Sequence, residues 1–134
     1  MTIEFVVSTL IPASSEEIYT TWLNSDGHTL MTGSPATVSA EVGGEFEAWD
    51  GYIHGKNLVL EPGKRIVQSW RTVEFNQDEK DSQIEVTLEP AGNQTRLSLR
   101  HTGLPLHGTK YEQGWEEAYF QPMSVYFQGR NSGG

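Results

Sequence analysis

The sequence contains no cysteine and carries only 9 lysines and arginines against 18 acidic residues. No apolar run approaches the ~18 residues of a membrane-spanning helix. Without cysteine there is no disulfide staple, no thiolate nucleophile and no Cys-based zinc site, and the redox compartment is left open. The shortage of basic groups gives a formal charge of −9. That balance argues against DNA or RNA, whose binding rests on Lys and Arg releasing phosphate counterions, and against anionic membrane. No basic-then-apolar leader opens the chain, and we read it as cytoplasmic. G-x-S-x-G, phosphate-loop and dinucleotide patterns are lacking, and Gly43-Gly44 precedes a strand, which makes it a turn. The histidines His28, His54 and His107 are scattered without helical pairing and are expected on the surface. No metal site and no cofactor is therefore expected. What remains is rich in rings: four tryptophans and 10% aromatics in 134 residues describe one globular domain with a single sizeable core.

The pattern along the chain predicts a strand over Ile3 to Ile11, ended by Pro12, with Ile3, Phe5, Val7 and Ile11 on one side of the pleat. Ser14 and Glu17 have capping-box spacing ahead of Ile18, Trp22 and Leu23, so a short helix follows. Asn24 to Gly33 reads as a second short helix or a structured loop. From Thr37 the signals are those of an antiparallel meander: Thr37 to Val42, a Gly43-Gly44 turn, Glu45 to Trp49, an Asp50-Gly51 hairpin turn, and Tyr52 to Leu60. Further strands are expected over Arg65 to Phe75, through Ile84, Val86 and Leu88, and through Leu97 and Leu99. Their alternation gives one dry and one wet face. Tyr111, Trp115, Ala118, Tyr119, Pro122 and Tyr126 recur at helical spacing, predicting a long amphipathic helix over Thr109 to Phe127 with a kink or break at Pro122. Residues 1–128 form one domain, and Gly129 to Gly134 reads as a disordered tail. The expected fold is α+β, with the terminal helix covering the dry face of a curved sheet and leaving a gap where a ligand would sit.

Several blocks in order carry a family likeness. They are Pro12 to Trp22 after the first strand, Gly43-Gly44-Glu45-Phe46, Gly51-Tyr52-Ile53-His54-Gly55, and Leu60-Glu61-Pro62-Gly63-Lys64-Arg65-Ile66-Val67 with Trp70. Val86 to Pro90, Gln94 to Leu97, and His101-Thr102-Gly103-Leu104-Pro105 leading to Gly114-Trp115 complete the set. Together they resemble the domain at the C-terminus of the activator of heat-shock protein 90 ATPase, a member of the helix-grip (START-like, birch-pollen-allergen-like) group. The likeness implies a helix-grip fold: six to seven antiparallel strands wrapped on a long C-terminal helix, with one or two short helices after the first strand. The activator couples such a domain to a separate N-terminal one, whereas this chain begins at the first strand, so a stand-alone domain is implied. Stand-alone members resemble small-molecule-binding domains with a cavity between sheet and helix.

Within that frame Trp22, Trp49, Tyr52, Trp70, Trp115 and Tyr119 are candidates to line a pocket, their N–H and O–H groups orienting a ligand. Alternatively, the rings fill the core. Gln68 and Thr72 share the parity of Ile66 and Trp70 and are candidate interior hydrogen-bonding groups. His101 shares the parity of Leu97 and Leu99. It is either a general base or ligand contact, or a structural residue satisfied by backbone or by Tyr111 or Glu112. Glu45 and Glu47, side by side, read as a solvated strand face rather than an acid/base pair. No catalytic residue is assigned. The expected partner is a small hydrophobic or amphipathic molecule; alternatives are heat-shock protein 90 itself, and a cyclase- or hydrolase-type reaction in the same cavity. A monomer or weak dimer is expected.

Overall fold

A computed structural model describes residues 2–132. Strand β1 (Ile3–Ile11) leads into two short helices, α1 (Ser15–Trp22) and α2 (Ser25–Thr32). Six strands follow: β2 (Thr37–Val38), β3 (Glu45–Ala48), β4 (Ile53–Glu61), β5 (Arg65–Thr72), β6 (Ser82–Ala91) and β7 (Gln94–Leu104). The C-terminal helical segment comprises a single 3₁₀ turn at Leu106–Thr109, α3 (Lys110–Trp115), a π turn (Glu116–Phe120) and α4 (Gln121–Ser132). The strands form one antiparallel sheet of order β1-β7-β6-β5-β4-β3-β2. The α+β helix-grip layout is thus present, with all seven strands.

Local chemistry accounts for the helix starts. The Ser14 hydroxyl accepts from the Glu17 amide at 3.1 Å and the Asn24 side chain from the Gly27 amide at 2.8 Å, each satisfying an otherwise orphaned helix donor. Gly33 ends α2 in the left-handed conformation, φ 84°. The anticipated strand to Val42 is cut short at Val38. Ser39 to Gly44 is instead a loop clamped by buried Asn57, whose amide donates to the Ser39 and Glu41 carbonyls at 2.7 and 3.0 Å and whose backbone bonds Gly43 and Gly44. On β4, a Cβ at Gly55 would lie 1.8 Å from the Ser69 carbonyl oxygen, so only glycine lets the two strands approach there. The register also shifts between Asn57 and Val59. Such irregularities bend a sheet, and here they curl it around the helix. Phe75 is buried in the loop after β5, not on the strand.

The helical segment does not break at Pro122. The Gln121 amide bonds the Glu116 carbonyl five residues back, and this wider turn absorbs the donor that proline lacks. One extra residue in the turn also moves the buried row. Up to Tyr119, inside the turn, Tyr111, Trp115 and Tyr119 face inward; from Phe120 on, Phe120, Met123 and Phe127 are buried, and Pro122 and Tyr126 are only partly covered. α4 runs to Ser132, and the Arg130 guanidinium donates to Glu17 at 3.0 Å. Gly133 and Gly134 lie outside the described residues. No helix among those described is long and apolar enough to cross a membrane.

Candidate functional site

A cavity of about 280 Å³ lies between the β3–β4 hairpin and the C-terminal helical segment. Six aromatic side chains wall it: Trp49, Tyr52 and Trp70 from the sheet side, Tyr111, Trp115 and Tyr119 from the helical side. Ile53, Gly114 and Ala118 complete the lining. Ala118 and Tyr119 reach the cavity from the π turn, so the widened turn positions the wall. The rings pack mostly at tilted and edge-on angles, among them Trp70 on Tyr111 at 4.9 Å and Trp115 on Tyr119 at 4.8 Å between centroids. Such contacts favour a rigid lining.

The polar atoms of the lining are largely engaged by the protein. The Trp115 indole N–H donates to His101 Nδ1 at 3.0 Å. An indole N–H can only donate, so Nδ1 is unprotonated and Nε2 carries the hydrogen, which it gives to Ser82 Oγ at 2.9 Å. Ser82 in turn donates to the Trp70 carbonyl at 2.6 Å. Burial pushes the His101 imidazolium down to about 3, so the ring is neutral. Both nitrogens are occupied and His101 does not line the cavity, which leaves it no free atom for general-base work. Its partners are Ser82 and Trp115 rather than Tyr111 or Glu112. Tyr111 instead shares a 2.6 Å hydrogen bond with Thr72 and stacks on the His101 ring.

His28 is not a surface residue. It is 2% exposed, donates from Nδ1 to the Trp22 carbonyl at 2.8 Å and accepts the Tyr119 hydroxyl on Nε2 at 2.7 Å. Burial holds it neutral, down to about 4, against a weaker opposing pull from the Trp22 carbonyl. Burial also raises the Tyr119 hydroxyl well above the ordinary phenol, so it stays a donor. Two of the three helical-side rings, Trp115 and Tyr119, are thus each tethered to a neutral imidazole. His54 and His107 are exposed as anticipated, and His107 pairs with Glu79 at 2.9 Å.

Of the remaining sequence candidates, Trp22, Gln68 and Thr72 are buried around the cavity without lining it. Trp22 stacks on Tyr119 at 5.2 Å and donates to Gln68 at 3.4 Å, and Gln68 donates to Asn57 at 2.8 Å. This relay ties α1 across the sheet to the loop that Asn57 clamps. Glu45 and Glu47 are exposed on the opposite, wet side of β3. Sequence reading missed Ile53, Gly114 and Ala118 as lining residues and kept Tyr111 to the helix stripe. The Tyr111-x-x-x-Trp115-x-x-x-Tyr119 spacing was the available signal for the last.

At the rim, Glu74 accepts from both the Tyr52 hydroxyl and the Lys110 ammonium, joining hairpin, β5–β6 loop and helix start. These bonds lower the Glu74 carboxyl below the usual range. Trp49 differs from the other wall residues. Its φ is 53° and that of Asp50 is 57°, left-handed values that non-glycine residues rarely adopt. Among the described residues, its indole N–H is the buried side-chain polar atom left without a hydrogen-bond partner. No cluster of three or more potential metal ligands occurs among the described residues.

Comparison with known proteins places the chain in a family. The chain is 32% identical over 105 residues to an activator of 90 kDa heat shock protein ATPase homolog from Dictyostelium discoideum, covering 77% of this chain and 27% of that protein. It is 30% identical over 115 residues to the human activator homolog 1, covering 85% of this chain and 34% of the relative. The chain therefore spans about a third of the length of these curated relatives. A crystal structure of an HSP90 activator from Plasmodium falciparum superposes with a TM-score of 0.83 at 22% identity, covering 92% of this chain and 94% of that one. The model for activator of Hsp90 ATPase homolog 1-like proteins matches residues 12–128, from the end of β1 to the last turns of α4, and the chain belongs to that family.

Proposed function

We propose that this domain binds a small, flat, apolar or amphipathic molecule in the aromatic cavity between the β3–β4 hairpin and the C-terminal helical segment. One observation carries the reading: a partly open, largely apolar space of about 280 Å³ walled by six rings. The volume sits near the lower end of small-molecule sites, which are largely apolar with few polar groups. No catalytic step is assigned, because the buried imidazoles and most wall hydroxyls are bound within the protein.

The test uses 2-acetylnaphthalene as probe. It should quench tryptophan emission and raise the Tm of the wild type by mass action. Gly114 gives a filled-cavity control: it lines the space, and a Cβ there meets nothing within 4 Å. Gly114→Leu should remove both effects while leaving the fold intact. Unchanged emission and Tm in the wild type, up to the probe's solubility, would end the reading.

The relatives' names favour a second reading, engagement of a heat-shock protein 90; in this reading the contact is made in the cytoplasm and by the domain's outer surface. Pull-down of the chaperone, or stimulation of its ATPase by the chain, supports this reading; failure of both discards it.

A further inference from the structure

Three observations converge on Trp49. It forms part of the cavity wall, its indole N–H is shut away from solvent with no hydrogen-bond partner, and it opens a run of three left-handed residues, Trp49, Asp50 and Gly51. An unpaired buried donor and a left-handed bulky residue are each unfavourable, and such features persist where the surroundings or a function hold them. The turn is held: the Asp50 amide bonds the Pro35 carbonyl at 2.9 Å and the Tyr52 amide the Trp49 carbonyl at 3.2 Å. Four of the neighbouring polar groups have partners already, the Trp70 indole N–H not among them. The Tyr52, Tyr111 and Tyr119 hydroxyls go to Glu74, Thr72 and His28, and the Trp115 N–H to His101.

Resting on the cavity reading above, the geometry points to Trp49 as the residue that selects the ligand's chemistry: an uncharged, flat molecule carrying a hydrogen-bond acceptor, such as an aryl ketone, which takes the indole N–H. The N–H is closed off in the free protein, so capture includes a swing of the indole about its side-chain torsions toward the cavity. A carboxylate finds less here. The rim cation Lys110 is paired with Glu74, and the chain's charge of −9 repels anions.

A matched pair of probes isolates this bond. 2-Acetylnaphthalene and 2-isopropenylnaphthalene share shape and planarity and differ in C=O against C=CH₂. The wild type should bind the ketone about tenfold more tightly than the hydrocarbon. Trp49→Phe, which keeps a ring and removes the N–H, should bring the two affinities together, and its ligand-free Tm should equal or exceed that of the wild type. Equal affinities in the wild type overturn the role of Trp49 while leaving the cavity reading intact. A ketone preference that survives in Trp49→Phe overturns it also. Binding of neither probe overturns both.

Discussion

The two buried histidines show how far side-chain identity is set by its neighbours. Trp115 can only donate to His101 and the Trp22 carbonyl can only accept from His28, so the rings are fixed as opposite tautomers, Nε2–H and Nδ1–H. The unfolded chain protonates both near pH 6.5, while the folded chain resists to about 4 for His28 and about 3 for His101. Between those values the unfolded state holds more protons, so stability is full above pH 6.5 and falls as the pH drops through that window. The slope is up to about 1.4 kcal/mol per pH unit for each ring. Glu74 and Glu79 are depressed from 4.5, so their contributions fade only at lower pH, and the drop from pH 6.5 to 5 belongs to the histidines. Urea unfolding at pH 7.5 and 5 measures it, and ¹⁵N shifts should report neutral rings at pH 5; either imidazole titrating near 6.5 contradicts the assignment. Asn57→Ala, which strips partners from Gln68, Ser39 and Glu41, should cost about 2–4 kcal/mol by the same unfolding assay. Strand parity sufficed to turn Gln68, Thr72 and His101 inward. His28 was not legible, because its neighbours Ser25, Asp26, Gly27 and Thr29 give no apolar period and its partner Tyr119 lies 91 residues away.

At the level of elements, period and capping chemistry located the first helix and most strands, whereas interruptions depended on distant contacts. Nothing in Thr37 to Val42 announces that Asn57, across the hairpin, replaces strand pairing with side-chain bonds. Pro122 signalled a defect in the helix but not its form. The π turn places the defect ahead of the proline and shifts the inward row from Tyr119 to Phe120, which is why Met123 and Phe127 are buried where Tyr126 was expected. Positive φ at Trp49 and Asp50 was likewise invisible, since neither residue is an ordinary choice for the left-handed region. Gly114 offers a test at this scale. It sits inside α3 with open space around its Cβ position, so Gly114→Ala should stabilise the protein by about 0.5–1 kcal/mol through helix propensity alone. A loss of stability in thermal or urea unfolding would mean that the space is not as open as described.

For the molecule as a whole, the acidic surplus and the rings have separate places. Carboxylates such as Glu45, Glu47, Glu112, Glu116 and Glu117 lie on wet faces of the sheet and helix, while three of the four tryptophans surround the cavity. The curl of the sheet, imposed by Gly55 and the shift beyond Asn57, brings the β3–β4 hairpin opposite the π turn, and the cavity is the space these two irregularities leave. Blocks spread along the chain made the fold legible as a resemblance, yet the lining set required the structure because hairpin and helix meet only in three dimensions. The claim on which the rest depends is that this space receives a ligand, and the tryptophan indole N–H signals test it residue by residue. In ¹H–¹⁵N spectra of the uniformly labelled chain, titration with 2-acetylnaphthalene should move the signals of Trp49, Trp70 and Trp115 saturably and that of Trp22, which does not line the cavity, least. Four unmoved signals, or a response confined to Trp22, would contradict it.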